Sequence, residues 1–167
     1  MEAGLSLGTN LGDRLAALTE AKTRIAALPG VQVLAQSPVY ETEPVGVKPE
    51  YQHLHFLNSI LIIETPQTVH EMAKQLRAIE DDMGRRRQLD RFAPRPMDID
   101  IIYFGTGHIE SGGLKIPHPR WAERRFVVQP LADVRPDLRL PGSFLTVAET
   151  LAALPAREAV SLLTRDW

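Results

Sequence analysis

The chain has 167 residues, of which 44% are apolar and 24% charged, and its formal net charge is −2. These values suit one globular domain with a substantial core; they exclude wholesale disorder and give no bulk-charge argument for nucleic acid or an acidic membrane. Without a single cysteine, the chain has no disulfide, thiolate metal site or cysteine nucleophile.

Met1-Glu2-Ala3-Gly4 lacks the basic and apolar regions of a signal peptide, and no apolar run approaches the roughly 20 residues of a membrane span. A cytoplasmic protein is therefore expected. The 13 prolines, several of them in the second half, point to long ordered loops.

In chain order, Ala3 to Gly8 reads as a first strand, and Gly8-Thr9-Asn10-Leu11-Gly12 as a tight turn. That turn lacks the lysine of a phosphate-binding P-loop and the full dinucleotide fingerprint. Asp13 is an N-cap for a helix carrying Leu15, Leu18, Lys22 and Ile25, which Pro29-Gly30 ends. Val31 to Tyr40 reads as one extended strand, and Thr42 to Gln52 as a loop long enough to be functional. Phe56 to Glu64 is a third strand. Thr65-Pro66 has the form of a helix start, and Val69, Met72, Leu76, Ile79 and Met83 form one apolar stripe up to a capping Gly84. A loop from Arg85 to Pro96 leads into a fourth strand ending at Gly105. The expectation is an α+β fold: a ferredoxin-like β-α-β-β-α-β core, an antiparallel sheet with both helices on one face. A C-terminal hairpin (Ile109 to Ile116) and a helical extension through Trp121, Phe126 and Val127 and from Thr146 follow. The last dozen residues carry no pattern. Residues 1–167 read as one domain, with a core over 3–138 and an extension over 139–167.

The fourth strand, Met97-Asp98-Ile99-Asp100-Ile101-Ile102-Tyr103-Phe104, carries the chemistry. Side chains alternate along a strand, so Asp98 and Asp100 share one face, and Met97, Ile99, Ile101 and Tyr103 the other. Two adjacent carboxylates repel unless a divalent metal or arginine sits beside them; an ordinary solvated strand face is the alternative. The preceding loop holds Arg85, Arg86, Arg87, Arg91 and Arg95, five arginines in eleven residues. Guanidinium forks bind phosphate oxygens, although a solvated basic loop or a nucleic-acid patch reads the same. Together, acids for Mg²⁺ and arginines for phosphates are what phosphoryl transfer requires. His118, stiffened between two prolines, is either a phosphate donor or a structural histidine. Asn58 places a polar amide in an apolar strand and needs partners.

Taken in order, these motifs resemble the 6-hydroxymethyl-7,8-dihydropterin pyrophosphokinase family of folate enzymes. The resemblance runs from Leu5 to about Leu138. It rests on Leu7-Gly8-Thr9-Asn10-Leu11-Gly12-Asp13-Arg14, Ser37-Pro38-Val39-Tyr40-Glu41-Thr42, Phe56-Leu57-Asn58, Ile79-Glu80 with Gly84-Arg85, Arg91 through Asp100, and Ile116-Pro117-His118-Pro119. It implies a monomer that moves the β,γ-diphosphate of ATP to the pterin hydroxymethyl group and releases AMP, using two Mg²⁺ ions, small-molecule substrates and neither nucleic acid nor membrane. By motif position it implies Asp98 and Asp100 as metal ligands, with Arg85 and Arg95 beside them as catalytic residues that engage the phosphates. It implies Glu80, Arg85, Arg87, Arg91, Arg95, Ile101, His118 and Arg124 at ATP. It implies Thr42, Val45, Phe56, Asn58, Phe92, Asp98 and Phe126 at the pterin, with an aromatic pair around the ring. Pro119 stands where many members have tyrosine, and Arg77 and Lys115 where uncharged polar residues are expected. An RNA-binding module on the same fold and a different nucleotide-binding phosphotransferase are the competing classes; few aromatics (6%) and the negative net charge weigh against the former.

Overall fold

The computed structural model describes residues 1–85 and 93–167. Its main sheet is antiparallel throughout. Strand β1 (Glu2–Thr9) lies between β5 (Asp98–Phe104) and β4 (Phe56–Glu64). The outer side of β4 pairs with β2 (Gln32–Gln36) and then β3 (Val39–Thr42), and β8 (Val160–Thr164) extends the sheet beyond β3. Helices α1 (Arg14–Ala26) and α2 (Val69–Asp82) are the two crossovers of the split β-α-β core. Among the described residues no helix is long and apolar enough to cross a membrane.

Strand alternation builds two cores. The odd positions of β1 and β4 (Ala3, Leu5, Leu7, Leu57, Leu61 and Ile63) meet Leu18, Ile25, Met72, Leu76 and Ile79 of α1 and α2. On the opposite face, Ile60 and Ile62 meet Val127, Val128 and Leu131 of α3 (Arg125–Val134) and Val147 of α4 (Val147–Ala153). So the C-terminal helices form a second layer, and the sheet is covered on both faces rather than one. The hairpin β6 (Ile109–Ser111) and β7 (Leu114–Ile116) stands at the β5 edge.

Four local expectations change. First, Val31 to Tyr40 is not one strand. It breaks at Ser37-Pro38, because proline has no N–H for the ladder and buried Ser37 bridges the gap. Ser37 N donates to Ile60 O at 2.9 Å, and Ile60 N donates to Ser37 Oγ at 2.8 Å. Second, α2 does not start at Thr65-Pro66. It starts after Thr68, whose hydroxyl and the carboxylate of Glu71 form a reciprocal capping box, a stronger signal than Thr-Pro. Third, Tyr103 leaves the face of Met97 and Ile99. A register shift in the β1–β5 ladder re-aims the chain, so Ile102 and Tyr103 both join the second core. The Tyr103 ring occupies the space beside Gly4, where a Cβ would lie 2.4 Å from Cε1. Fourth, the patternless tail contains β8, whose pairing with β3 is a tertiary contact that short-range periodicity does not encode.

The Ser37 bridge yields a stability prediction. Ser37→Ala strands the buried Ile60 N–H, so unfolding free energy should fall by about 1–3 kcal/mol. Urea denaturation should show a lower midpoint at unchanged slope; a loss under about 0.5 kcal/mol would mean the bridge is dispensable.

Candidate active site

The half of the second sheet face that α3 and α4 leave open is floored by small residues. Across it, Asp98 pairs with Gly8 and Gly8 with Asn58, while Ser6 pairs with Asp100. With only Ser6 and Gly8 between the acidic strand and Asn58, there is room above the sheet for a ligand. A cavity of about 520 Å³ lies here, lined among others by Ser6, Gly8, Thr42, Val45, Phe56, Asn58, Arg124 and Phe126. A second hollow of about 460 Å³ lies between α2, β5 and β7, lined by Leu76, Arg77, Glu80, Ile101, Leu114 and Lys115 among others. Arg85, Asp98, Asp100, His118 and Pro119 line both. The two hollows meet at the acid pair.

At that junction the two aspartates differ. Asp98 Oδ1 accepts from Arg85 Nη1 at 2.5 Å and Oδ2 from Arg95 Nη1 at 3.1 Å. The same Arg85 nitrogen donates to Glu80 Oε1 at 2.9 Å, and Glu80 Oε1 also takes the Ile99 N–H at 2.7 Å. Desolvation pulls the Arg85 guanidinium down, but Asp98 and then Glu80 outweigh it and hold its pKa above the ordinary value. Arg95 is fixed through its backbone: its N–H donates to Asn10 Oδ1 at 2.9 Å and its carbonyl accepts from Asn10 N at 3.3 Å. Among the described residues Asp100 has no such partner; the group within ion-pairing distance is His118 Nε2 at 4.0 Å. Desolvation by the cleft walls and then the Asp98 charge push the Asp100 carboxyl up to about 7, against the pull of Arg124. Its side chain is still 41% exposed, opening into the hollow.

His118 cannot neutralise that acid at pH 7. Desolvation, then Arg124, lowers its pKa, and its Nδ1 accepts the Arg120 N–H at 3.1 Å. The neutral ring therefore carries its proton on Nε2, toward Asp100. Among the described residues no group of three or more His, Cys, Asp or Glu side chains stands ready to hold a metal. Two carboxylates, one of them without a hydrogen-bonded cation among the described residues, in a cleft lined by arginines fit Mg²⁺, which takes one or two carboxylates and completes its shell with water and phosphate oxygens. They do not fit a caged structural metal.

On the cavity's far side, buried Asn58 donates from Nδ2 to Thr42 Oγ1 at 2.7 Å, leaving Oδ1 turned to the cavity floor. A Cβ on Gly8 would lie 2.9 Å from that oxygen, so glycine is what lets the amide lie flat there. Phe56 faces the Arg95 guanidinium at 5.9 Å and Phe126 that of Arg124 at 5.6 Å. Val45 is an exposed rim residue.

The structure therefore brings together Arg85, Arg95, Asp98, Asp100 and His118, with Thr42, Val45, Phe56, Asn58, Arg124 and Phe126 on one side and Glu80 and Ile101 on the other. Glu80 is buried, and its carboxylate serves Arg85 and the β5 backbone as it lines the hollow. Arg87, Arg91 and Phe92 lie outside the described residues. Sequence reasoning ended the first strand at Gly8 and did not place Gly8 or Asn10 in the site: β1 runs one residue further, to Thr9, and Asn10 clamps Arg95. A glycine at the strand end and an asparagine just past it were the available signal. Glu158, which also lines the larger cavity, had none.

Comparison with known proteins follows the same outline. A family model described as 7,8-dihydro-6-hydroxymethylpterin-pyrophosphokinase matches residues 4–136. The chain is 39% identical over 152 residues to a 2-amino-4-hydroxy-6-hydroxymethyldihydropteridine pyrophosphokinase of Methylorubrum extorquens, covering 91% of this chain and 92% of that one. The protein of the same name from Pseudomonas aeruginosa is 36% identical over 151 residues, covering 90% of each. Among solved structures, an HPPK-DHPS in complex with substrates superposes with a TM-score of 0.71 at 15% identity, a likeness of fold. It covers 91% of this chain but 43% of the solved one, so the chain spans less than half of that larger protein.

The strained acid sets a pH dependence. Because folding raises the Asp100 pKa, its contribution favours the folded state below about pH 4 and is lost as pH rises through about 7. In Mg²⁺-free buffer, Asp100→Asn should melt with the wild type near pH 4. At pH 8 it should melt roughly 2–4 °C higher, a shift discounted for the solvent that reaches the carboxylate. A pH-independent difference in calorimetric melting would contradict the assignment.

Proposed function

The chain belongs to the 7,8-dihydro-6-hydroxymethylpterin-pyrophosphokinase family, and from that premise we propose how its cleft divides the work of diphosphate transfer. The enzyme is an ATP-dependent diphosphotransferase of folate biosynthesis that acts on the pterin. The β,γ-diphosphate of ATP passes to the hydroxymethyl oxygen. The bond from β-phosphorus to the α,β-bridging oxygen breaks, AMP leaves, and the alcohol gives up its proton. The observation that carries the division of the cleft is the meeting of two hollows at Asp98 and Asp100. One hollow suits a flat heterocycle and the other a nucleotide, and the transferred group would sit between them.

In this reading the larger cavity takes the pterin. Asn58 Oδ1 accepts from an N–H on the ring edge, its Nδ2 being held by Thr42, and Phe56 and Phe126 supply apolar faces. The hollow between α2 and β7 takes the adenosine, against Ile101 and Leu114. His118 presents its Nε2 proton, and Arg124 its charge, to phosphate oxygens. Arg85 and Arg95 already converge on the junction through their common hold on Asp98. Triphosphate oxygens compete for those guanidinium forks and leave the Asp98 carboxylate open. Asp98 and Asp100 would then hold Mg²⁺, two ions in our reading, which supplies charge neutralisation on the triphosphate and a lowered pKa for the alcohol. Alignment of the alcohol with the β-phosphorus is the contribution of the rigid strands beneath. One chain lines both hollows, so we take the monomer as the working unit and residues 1–167 as one domain.

Phosphorus NMR of the protein with Mg-ATP and 6-hydroxymethyl-7,8-dihydropterin should show AMP and the pterin diphosphate; ADP would overturn the reading. Asp100→Asn should lower kcat/KM by at least about 10²-fold, the scale of losing several kcal/mol of transition-state charge stabilisation, with an unchanged far-UV spectrum. Activity within a few-fold of wild type would remove Asp100 from the site.

A further inference from the structure

Helix α3 begins without a cap of its own. Its N-cap is Arg124, whose side chain carries donors only, no cap bond is made by that side chain, and the first turn contains no acid. The free N–H of the first helical residue, Arg125, is taken instead by Glu158 Oε2 at 3.2 Å, from 33 residues further along the chain. A carboxylate at the positive end of the helix dipole is favourable there.

The placement of Glu158 follows from the tail. Val160 pairs with Thr42 at the β3–β8 edge, so Glu158, two residues earlier, reaches the cavity rim beyond Thr42. The tail is fastened again at its other end, where Trp167 Nε1 donates to Ser37 O at 2.7 Å. The two residues flanking Arg125, Arg124 and Phe126, both line the larger cavity and stack on each other at 5.6 Å. Fixing the Arg125 amide therefore fixes the backbone that aims both side chains.

We propose that Glu158 is a positioning residue: from the C-terminal strap it caps α3 at a distance and holds Arg124 and Phe126 against bound substrate. This rests on the reading of the cavity as the pterin site. It extends the working cleft to a segment beyond residues 4–136, where the family model matches. The full-length chain is compared as wild type, Glu158→Ala and Glu158→Gln, by AMP release with each substrate varied and by amide hydrogen exchange at Arg125. In Glu158→Ala the KM for the pterin, through Phe126, and that for ATP, through Arg124, should each rise about 3- to 10-fold with kcat within about twofold, and Arg125 exchange should speed up about tenfold, the scale of losing one cap. Glu158→Gln keeps an acceptor and should stay within about twofold of wild type in both. Faster exchange with unchanged KM would overturn the link to substrate, and unchanged exchange would overturn the cap itself. An equal defect in the glutamine variant would show that no hydrogen-bond acceptor is at work. A wild-type chain that releases no AMP would instead sink the functional reading, while the exchange comparison still decides whether the cap exists.

Discussion

Two carboxylates on one strand face, at the bottom of a cleft, cannot both ionise comfortably without a cation. The architecture around β5 answers that constraint by halves. Asp98 is satisfied by Arg85 and Arg95, which are themselves held by Glu80 and by the Asn10 backbone clamp. Among the described residues Asp100 has a neutral histidine at 4.0 Å and only the more distant pull of Arg124 and Arg85, and its pKa rises to about 7. The asymmetry leaves one carboxylate of the pair without close compensation among the described residues, at the point where the two hollows join. In the function proposed above, a cation bound with the triphosphate would relieve Asp100 and the phosphates would give the arginines new partners, coupling binding to the release of a repulsion built in by folding.

Much of this was legible in the sequence because local rules agreed. Period-two alternation placed Asp98 and Asp100 together, and the apolar stripe of α2 and Gly84 fixed the helix that carries Glu80. The run from Phe56 to Glu64 emerged as β4 with the same ends. What failed did so for identifiable reasons. Val31 to Tyr40 was read as one strand through Pro38, when the ladder breaks there and Ser37 bridges it. Thr65-Pro66 imitated a helix start, and the capping box lay three residues on. Tyr103 changed faces because a register shift is invisible to a strict period of two. The strand β8 and the reach of Glu158 are set by tertiary pairing, and no pattern within the last residues encodes them.

The second layer of helices matters for the same reason. A sheet with helices on one face would leave the acids on an open, wet surface, where ionised carboxylates are cheap. Packing α3 and α4 on the other face encloses half of it. That packing sets Arg124, at the start of α3, where its charge reaches Asp100, while His118 is held beside β5 by its own N–H bond to Ile102 O. In the covered half Gly4 yields its space to the Tyr103 ring; in the open half small residues on β1 leave room, Gly8 for the Asn58 amide and Ser6 beside Asp100. The cleft is therefore as much a product of what β1 lacks as of what β5 carries.

The central claim is that the charge on Asp100 is answered by a cation that comes with the nucleotide. Calorimetric binding of α,β-methylene-ATP, which cannot transfer its diphosphate, with and without Mg²⁺ to the wild type and to Asp100→Asn tests it most directly. The account predicts that Mg²⁺ tightens binding to the wild type by about tenfold or more, one pKa unit's worth of interaction or better, and has little effect on the variant. An equal Mg²⁺ effect on both proteins would contradict it.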